Sequence, residues 1–466
     1  MAWNVVIAGG GFGGVHTAKH LARILPKHSA RITLVNDTNF MLYTPLLPGA
    51  AAGTLEPRHV VVPLRETLPD GVDLLVGNVT GATPEENALF VDTIGGETKR
   101  LRYDQLVVAL GSVSRTLPIP GLAEHALGLK SLPEAIQLRN HVLRNLELAE
   151  STDDPVTRRA ALTFVFVGAG YAGLEGLAEL QDFASEVLDL YPRARVHGMR
   201  WILVEARDRV MPEVGPSLAD FAARELTARG IELRTSTTLE EVTDRTARLS
   251  DGEVVPTFTL VWTAGVKPHP VVSKLGLPLA ENGRIDTSSS AAVRDTPGVW
   301  AIGDAANIPD PAAKGKRPSP PTAQHAIRQG KTVAINVAAA LGTGSPVKFK
   351  YKTRGVVVDM GQRKAVAMTM NLKWRGTPAW FIARSYHLAM MPGLGRRGRL
   401  LADWNVGLLF GRDTAELGQL GHVPKLDQGE HALPIDGAKN GAGPVSAGGA
   451  PSQTADASAS GDQQGS

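Results

Sequence analysis

The chain contains no cysteine. Disulfides, thiolate metal sites, iron–sulfur ligation and any dithiol relay are therefore closed to it, and no metal site is expected. The absence fits a reducing compartment. Long apolar runs are missing too: no stretch reaches the roughly 18 uninterrupted apolar residues that a membrane-spanning helix needs. Contact with a bilayer is expected only at its surface. Charge of one sign is also scarce, since 49 Lys and Arg meet 46 Asp and Glu, a net charge too small for a nucleic-acid binder. The excess is concentrated near the C-terminus, where Lys373 to Asp413 holds seven Lys/Arg against two Asp. Met1-Ala2-Trp3-Asn4 runs into a strand without a basic segment or apolar core, so no signal peptide is expected. At 466 residues the chain predicts two or three domains, taking roughly 150 residues for each.

Two glycine-rich turns stand about 160 residues apart: Gly9-Gly10-Gly11-Phe12-Gly13-Gly14 and Gly168-Ala169-Gly170-Tyr171-Ala172-Gly173. Each follows an apolar run, Val5 to Ala8 or Phe164 to Val167, and opens a stretch with helical spacing. That context lifts G-x-G-x-x-G above an ordinary glycine turn. The first glycine permits the tight turn, the second lets backbone approach a pyrophosphate, and the third lets helix pack on strand. The pyrophosphate then meets unpaired N–H groups at the positive end of the helix dipole. Two such units predict two dinucleotides.

The first unit reads as strand 3–8, a helix to Leu25, and strands at Arg31 to Val35, Asp73 to Val76 and Leu106 to Leu110. A helix at Leu132 to Ala149 leads to a polar linker, Ser151 to Arg159. The second unit repeats the pattern with strand 163–167, helix 174–190, strand Arg200 to Val204, helix Ser217 to Arg229 and strand Thr259 to Trp262. Val299 to Asp304 reads as a return to the first unit. The expected fold is α/β: two Rossmann-like dinucleotide-binding domains, one inserted in the other, plus a C-terminal membrane-associating α+β region. The boundaries expected are 1–120 with 290–345 for the first domain, 121–159 for a connecting helix and linker, 160–289 for the second domain, and 346–432 for the C-terminal region, where Lys348 to Tyr351 and Gly355 to Met360 read as strands. Residues 433–466, rich in Gly, Ala, Ser and Gln from Gly437 onward, have too little apolar surface to order themselves and are expected to be disordered.

An acidic residue ending the second strand of such a unit accepts hydrogen bonds from an adenosine ribose. The first unit ends Leu34-Val35-Asn36-Asp37, so Asn36 and the adjacent Asp37 are the candidates there. In the second, Leu203-Val204-Glu205 offers a carboxylate that would repel a 2′-phosphate and favour NADH; Arg207 and Arg209 lie close enough to keep NADPH open. A solvated strand-end glutamate is the plainer role.

The strand-Gly-Asp element Ala301-Ile302-Gly303-Asp304-Ala305-Ala306 resembles the end of the FAD domain in two-dinucleotide flavoprotein reductases. The resemblance implies FAD, non-covalently bound, at the first turn and NADH as substrate at the second. It puts Asp304 beside the flavin's ribityl and pyrophosphate side, where a helix N-cap is the plainer role, and makes Ala109, Gly111 and Ser112 the other FAD-side loop. Disulfide reductases and sulfide:quinone reductases need cysteines that this chain lacks. Phe40 to Gly49, Thr263 to Lys267 and the run from Phe349 to Asp413 resemble type II NADH dehydrogenases, and Thr322-Ala323-Gln324-His325-Ala326-Ile327-Arg328-Gln329-Gly330 is similar to their A-Q-x-A-x-Q-G quinone-site helix. The resemblance covers residues 1 to about 413. It implies Thr44, Pro45 and Ala323 along the flavin, Ala264 and Gly265 at the nicotinamide nucleotide, and Pro48, Gln324 and Ile327 at the quinone. An amide at Gln324 can donate to a quinone oxygen without titrating; a backbone-bonding glutamine is the alternative. Glu175 matches a glutamate near the nicotinamide and quinone sites and is expected to position nicotinamide or couple proton uptake, although a carboxylate in the first turn of a helix is stabilised by the dipole in any case.

On helical geometry Ile382, Tyr386, Ala389 and Met390 share a face, with Arg384 and His387 pointing elsewhere; Leu400, Leu401, Trp404 and Leu408 form another stripe. Arg396, Arg397 and Arg399 lie between. Such stripes serve core or dimer contact, but a basic hinge between Trp-containing amphipathic stretches also suits an interfacial anchor. The expectation is a peripheral protein on the cytoplasmic side of the cell membrane, homodimeric, passing two electrons from NADH through FAD to a quinone without pumping protons. The alternatives are an FAD/NADH sensor or oxidoreductase of apoptosis-inducing-factor type, and a reductase of a soluble iron–sulfur protein.

Overall fold

A computed structural model describes residues 2–313, 317–353 and 355–416. The expected disordered tail, 433–466, and residues 417–432 of the expected C-terminal region lie outside the described residues. In chain order the elements that build the site begin with β1 (Trp3–Ala8), α1 (Phe12–Ile24), β2 (Ala30–Asn36), α2 (Leu47–Ala51), β3 (Val72–Thr83), β4 (Ala88–Thr93), β5 (Thr98–Arg102) and β6 (Gln105–Val108). Next come α3 (Leu132–Ser151), α4 (Pro155–Ala161), β7 (Thr163–Val167), α5 (Tyr171–Val187), β8 (Arg200–Val204), α6 (Pro216–Ala228), β9 (Ile231–Arg234) and β10 (Thr259–Trp262). The last are β11 (Val299–Ala301), α7 (Ala323–Ala340), β12 (Gly355–Asp359), β13 (Ala365–Thr369), β14 (Leu372–Arg375), α8 (Gly376–Met390) and α9 (Leu394–Phe410).

The first sheet has the order β11-β6-β1-β2-β3-β4-β5. Its first five strands are parallel, with Val5 opposite Ile32 and Val107 opposite Trp300. The long strand β3 leaves β2 at Val76 and continues from Gly77 into an antiparallel hairpin with β4. Because β11 adds to the far side of β6, the chain comes back to its first sheet after completing the second. That second sheet, β9-β8-β7-β10, is wholly parallel. Every residue of β7 is buried, as a parallel strand covered on both faces requires, and its sequence Thr-Phe-Val-Phe-Val is accordingly almost continuously apolar. A third, antiparallel sheet β12-β13-β14 carries α8 against it through Ala365, Ala367, Ala379 and Ala383.

Four local expectations change. The polar stretch Ser151 to Arg159 is not a linker throughout: α4 starts at Pro155, with the Asp154 carboxylate accepting from the N–H groups of Val156 and Thr157. Lys348 to Tyr351 forms no strand, yet Phe349 and Tyr351 are buried there as packing residues. The last parallel strand of the first unit stops at Val108 because Ala109 turns to pass against the first glycine turn. Helix α5 begins at Tyr171, directly on the second turn, rather than at 174.

α1 and α7 cross at close range. A Cβ on Gly330 would stand 2.6 Å from the carbonyl oxygen of Gly13, so glycine is required for the contact. The Thr17 hydroxyl donates to the Gly13 carbonyl (2.9 Å) within that crossing. This packing fixes the start of α7, with Gln324, beside the start of α1.

Candidate active site: two glycine cradles and a charged cavity

Both glycine turns have the same construction. Gly9 and Gly168 have φ of +110° and +104°, and a Cβ would lie 2.3 Å from the Ala109 carbonyl oxygen in the first and 2.8 Å from the Ala264 nitrogen in the second. At the third glycine, a Cβ on Gly14 or Gly173 would meet the carbonyl oxygen of Gly9 or Gly168 within 2 Å. At the middle glycine the situation reverses: a Cβ on Gly11 or Gly170 would meet no atom within 4 Å. Each turn therefore keeps open space in front of the N–H groups that begin α1 or α5, the shape a pyrophosphate fills. Phe12, Gly13, Tyr171 and Ala172 are the first residues behind these openings.

The strand-end residues hold the turns. Asn36 accepts from the Gly10 N–H at 2.7 Å and donates through its Nδ2 to Thr38. Glu205 accepts from the N–H groups of Ala169 (2.8 Å) and Arg207 (3.0 Å). Both side chains thus brace the turn itself, and Asp37 is left exposed beside the first one. Asp304 is not a helix N-cap: it lies inside the short turn Gly303–Ala305, accepting from the Ser112 hydroxyl at 2.6 Å with Lys130 4.0 Å away. Lys130 and Ser112 join Ala109 and Gly111 on that side, and Gln329 accepts from the Gly303 N–H to hold it. Gly265 follows Thr263, whose hydroxyl donates to the Gly168 carbonyl and ties the loop containing Ala264 to the second turn.

A cavity is lined by Pro45, Pro48, Glu175, Asp359, Arg384 and His387, among others, so the chain brings the Pro45–Pro48 segment to Glu175 near the start of α5. Glu175 accepts from the Asp359 N–H at 2.9 Å. Burial pushes the Glu175 carboxyl well above its usual range. Asp359 is pushed up to about 7, chiefly by burial and next by the Glu179 charge, with Arg384 opposing. His387 is pushed down to about 4 by burial and by Arg384. Tyr43 meets Phe12 at the start of α1 and the cavity-lining His387, at ring-centroid distances of 5.5 and 6.1 Å. Gln324 and Ile327 do not line it. The Gln324 oxygen accepts from the Tyr351 hydroxyl at 2.7 Å, and Arg328, which stands where the A-Q-x-A-x-Q-G pattern has its second glutamine, stacks on the Tyr351 ring at 4.2 Å.

Asp359, Glu179, Arg384 and His387 were missed from sequence. Glu179 carries a signal, being four residues after Glu175 and so on the same face of α5. Arg384 and His387 carry a misleading one. The residues of α8 that are buried are Ala379, Trp380 and Ala383, while the expected shared face of Ile382, Tyr386, Ala389 and Met390 is partly buried, with Ala389 exposed. Arg384 and His387 turn inward to the cavity, the guanidinium lying between the rings of Trp380 (4.4 Å) and Trp404 (4.8 Å). The α9 stripe also divides: Leu400 and Trp404 are buried, while Leu401 and Leu408 face out beside Leu409 and Phe410. Among the described residues no group of three or more His, Asp or Glu is arranged to hold a metal.

Residues 3–330 match the family model described as pyridine nucleotide-disulphide oxidoreductase. The chain is 32% identical over 428 residues to a type II NADH:quinone oxidoreductase of Mycobacterium tuberculosis, covering 88% of this chain and 89% of that one. It is 30% identical over 419 residues to a probable NADH dehydrogenase of Dictyostelium discoideum, covering 88% and 91%. The fold matches that of NDH2 from Plasmodium falciparum, solved in complex with NADH, with a TM-score of 0.82 at 18% identity over 89% of this chain and all of the other. Since no cysteine is present, the disulphide half of the family description has no counterpart here. The chain belongs to the pyridine nucleotide-disulphide oxidoreductase family and, within it, to the type II NADH:quinone oxidoreductases.

Proposed function

We propose that this protein is a non-proton-pumping NADH:quinone oxidoreductase that uses FAD, with the first cradle for FAD and the second for NADH. The observation that carries the reading is the pair of open cradles, together with a charged cavity lined by Glu175 of the helix that opens on the second of them. The donors fit FAD at the first turn: open space before Gly11, N–H groups at the start of α1, and the Ser112–Asp304–Lys130 group for the polar ribityl side. Bound FAD supplies a two-electron carrier able to take hydride from a nicotinamide and return electrons to a quinone. The chain's own part is to bind, orient and exclude. Thr44, Pro45 and Ala323 border the flavin; Pro48 borders the quinone from the cavity wall, with Gln324 and Ile327 assigned to the quinone from outside that wall; and Glu175 stands between nicotinamide and quinone with its proton retained by burial. Glu205 favours NADH, because a 2′-phosphate would meet a carboxylate already committed to the turn.

Among the described residues no helix is long and apolar enough to cross a membrane. Quinone tails live in lipid, so the enzyme works from the membrane surface, on its cytoplasmic side. The outward apolar side chains of α8 and α9, Phe381, Leu401, Leu408, Leu409 and Phe410, support that attachment and leave room for a homodimer contact in the same region. The direct test mixes purified holoenzyme with NADH under anaerobic conditions, follows the flavin bleaching, and then adds a short-chain quinone. Rapid return of the yellow colour is expected; bleaching without reoxidation refutes the function and favours a sensor. Glu175→Gln is expected to keep flavin bound and slow turnover by roughly a hundredfold or more, the size of a lost proton-transfer contribution.

A further inference from the structure

The quinone-side cavity has a neighbour. A second cavity of about 120 Å³ shares Thr54, Glu179, Arg384 and Trp404 with it and is bordered by Arg412. Arg412 follows α9 in the strap Gly411–Glu416. Its side chain, 11% exposed, lies 2.7 Å from Asp182, 3.6 Å from Glu186 and 3.8 Å from Glu179, three acids spaced along α5. The Arg412 N–H donates to Glu186 at 3.0 Å. On α3, Arg139 donates to the Ala415 carbonyl at 2.7 Å and Arg144 pairs with Glu416, so the strap is held along its length.

Asp359 is faced by Glu175 and Glu179 from α5, by Arg384 and His387 from α8, by Arg229 just after α6, and across Glu179 by Arg412. Four of these charges alternate in sign: Asp359, Arg384, Glu179, Arg412. Arg384 is clamped between two indole rings, and its charge acts on both Asp359 and Glu179. Glu179 has a second cation in Arg412. Without it, Glu179 would compete with Asp359 for Arg384.

We propose that Arg412 is a positioning residue for quinone reduction: by neutralising the acids of α5 it reserves Arg384 for Asp359 at the quinone-side cavity. The inference rests on the NADH:quinone reading above. Each turnover transfers two electrons and one proton from NADH, whereas a quinone becomes a quinol by taking two electrons and two protons. One proton must therefore come from water, and Asp359 is a carboxyl on the cavity wall able to hold and pass it. Arg384 favours the ionised form of Asp359. If the Glu179 charge is left to be balanced by Arg384 alone, Asp359 keeps its proton to higher pH, and the step that needs this proton persists further into the alkaline range.

The test compares flavin-loaded wild type, Arg412→Gln, Arg412→Lys and the double variant Arg412→Gln/Glu179→Gln, each checked for melting temperature and flavin content. Short-chain quinone reduction at saturating NADH is measured across the pH range, and bleaching by NADH without quinone is timed separately. In Arg412→Gln the alkaline limb of kcat moves upward by on the order of one pH unit, while bleaching by NADH keeps its wild-type rate. Arg412→Lys and the double variant both cancel the upward shift; the double variant also serves if Arg412→Gln alone does not accumulate. An unmoved limb in a wild-type-active series overturns the proposal and leaves the enzyme function standing. Equal slowing of bleaching and quinone reduction also overturns it, since that marks general damage to the NADH side. A wild type that bleaches but reduces no quinone defeats the underlying function instead.

Discussion

Glycine does two separate jobs in each cradle, and substitution can part them. Gly9 is held by its positive φ and by the Ala109 carbonyl against it, so Gly9→Ala is expected to cost roughly 2 kcal/mol or more of stability, read as a lower melting temperature. Gly170 meets no protein atom, so Gly170→Ala should change stability by less than about 0.5 kcal/mol. The same variant should raise KM for NADH by roughly tenfold, the equivalent of about 1.4 kcal/mol of binding, while flavin content stays at the wild-type level. A Gly170→Ala protein with unaltered KM for NADH would disqualify the second turn as the nucleotide cradle. Asp359 offers a pH test. Its proton is held to about pH 7, mainly because burial penalises the charge. A carboxyl with raised folded affinity stabilises the fold fully below its unfolded value, and that contribution is lost as pH climbs through the folded value. Asp359→Asn cannot ionise, so it should match wild type near about pH 4 and melt above it near about pH 8, by roughly 4 kcal/mol at most. A difference that does not widen with pH contradicts the burial of that charge.

Among the elements, the C-terminal helices show what apolar spacing can and cannot convey. The stripe on α9 was visible, but a stripe has no sign: Leu400 and Trp404 go inward while Leu401, Leu408, Leu409 and Phe410 stay outside. On α8 the small residues Ala379 and Ala383 decide the packed face because they let the helix lie against β13, and Arg384 and His387 follow them inward to partners more than two hundred residues earlier on α5 and to Asp359 on β12. Periodicity weighs each residue by its own hydrophobicity and cannot anticipate an arginine buried between two tryptophans. The outward residues give the element-scale prediction. Leu409→Glu with Phe410→Glu should abolish flotation with anionic liposomes, yet leave reduction of a soluble short-chain quinone near the wild-type rate. Loss of both activities together would mean that this end of α9 packs in the active protein rather than meeting lipid.

For the whole molecule, the decisive feature is that β11 returns to the first sheet, bringing Asp304 to Ser112 across nearly two hundred residues and setting the second cradle within the span of the first. With no membrane-crossing helix among the described residues, quinone reduction by proteoliposomes should proceed at the same rate with and without an uncoupler; acceleration by the uncoupler would reveal a coupled proton movement. The two turns, the strands that feed them and the return at Val299 were legible in sequence because they depend on local rules: glycine where a side chain cannot fit, apolar runs where both faces are covered, and a helix directly after each turn. The absence of cysteine likewise removed the thiol chemistries before any geometry was known. What only the tertiary structure decided is which charges share an interior. Glu175, Glu179, Asp359, Arg384 and Arg412 come from α5, β12, α8 and the strap after α9, and their protonation depends on mutual distance and burial, quantities that arise only when distant segments pack.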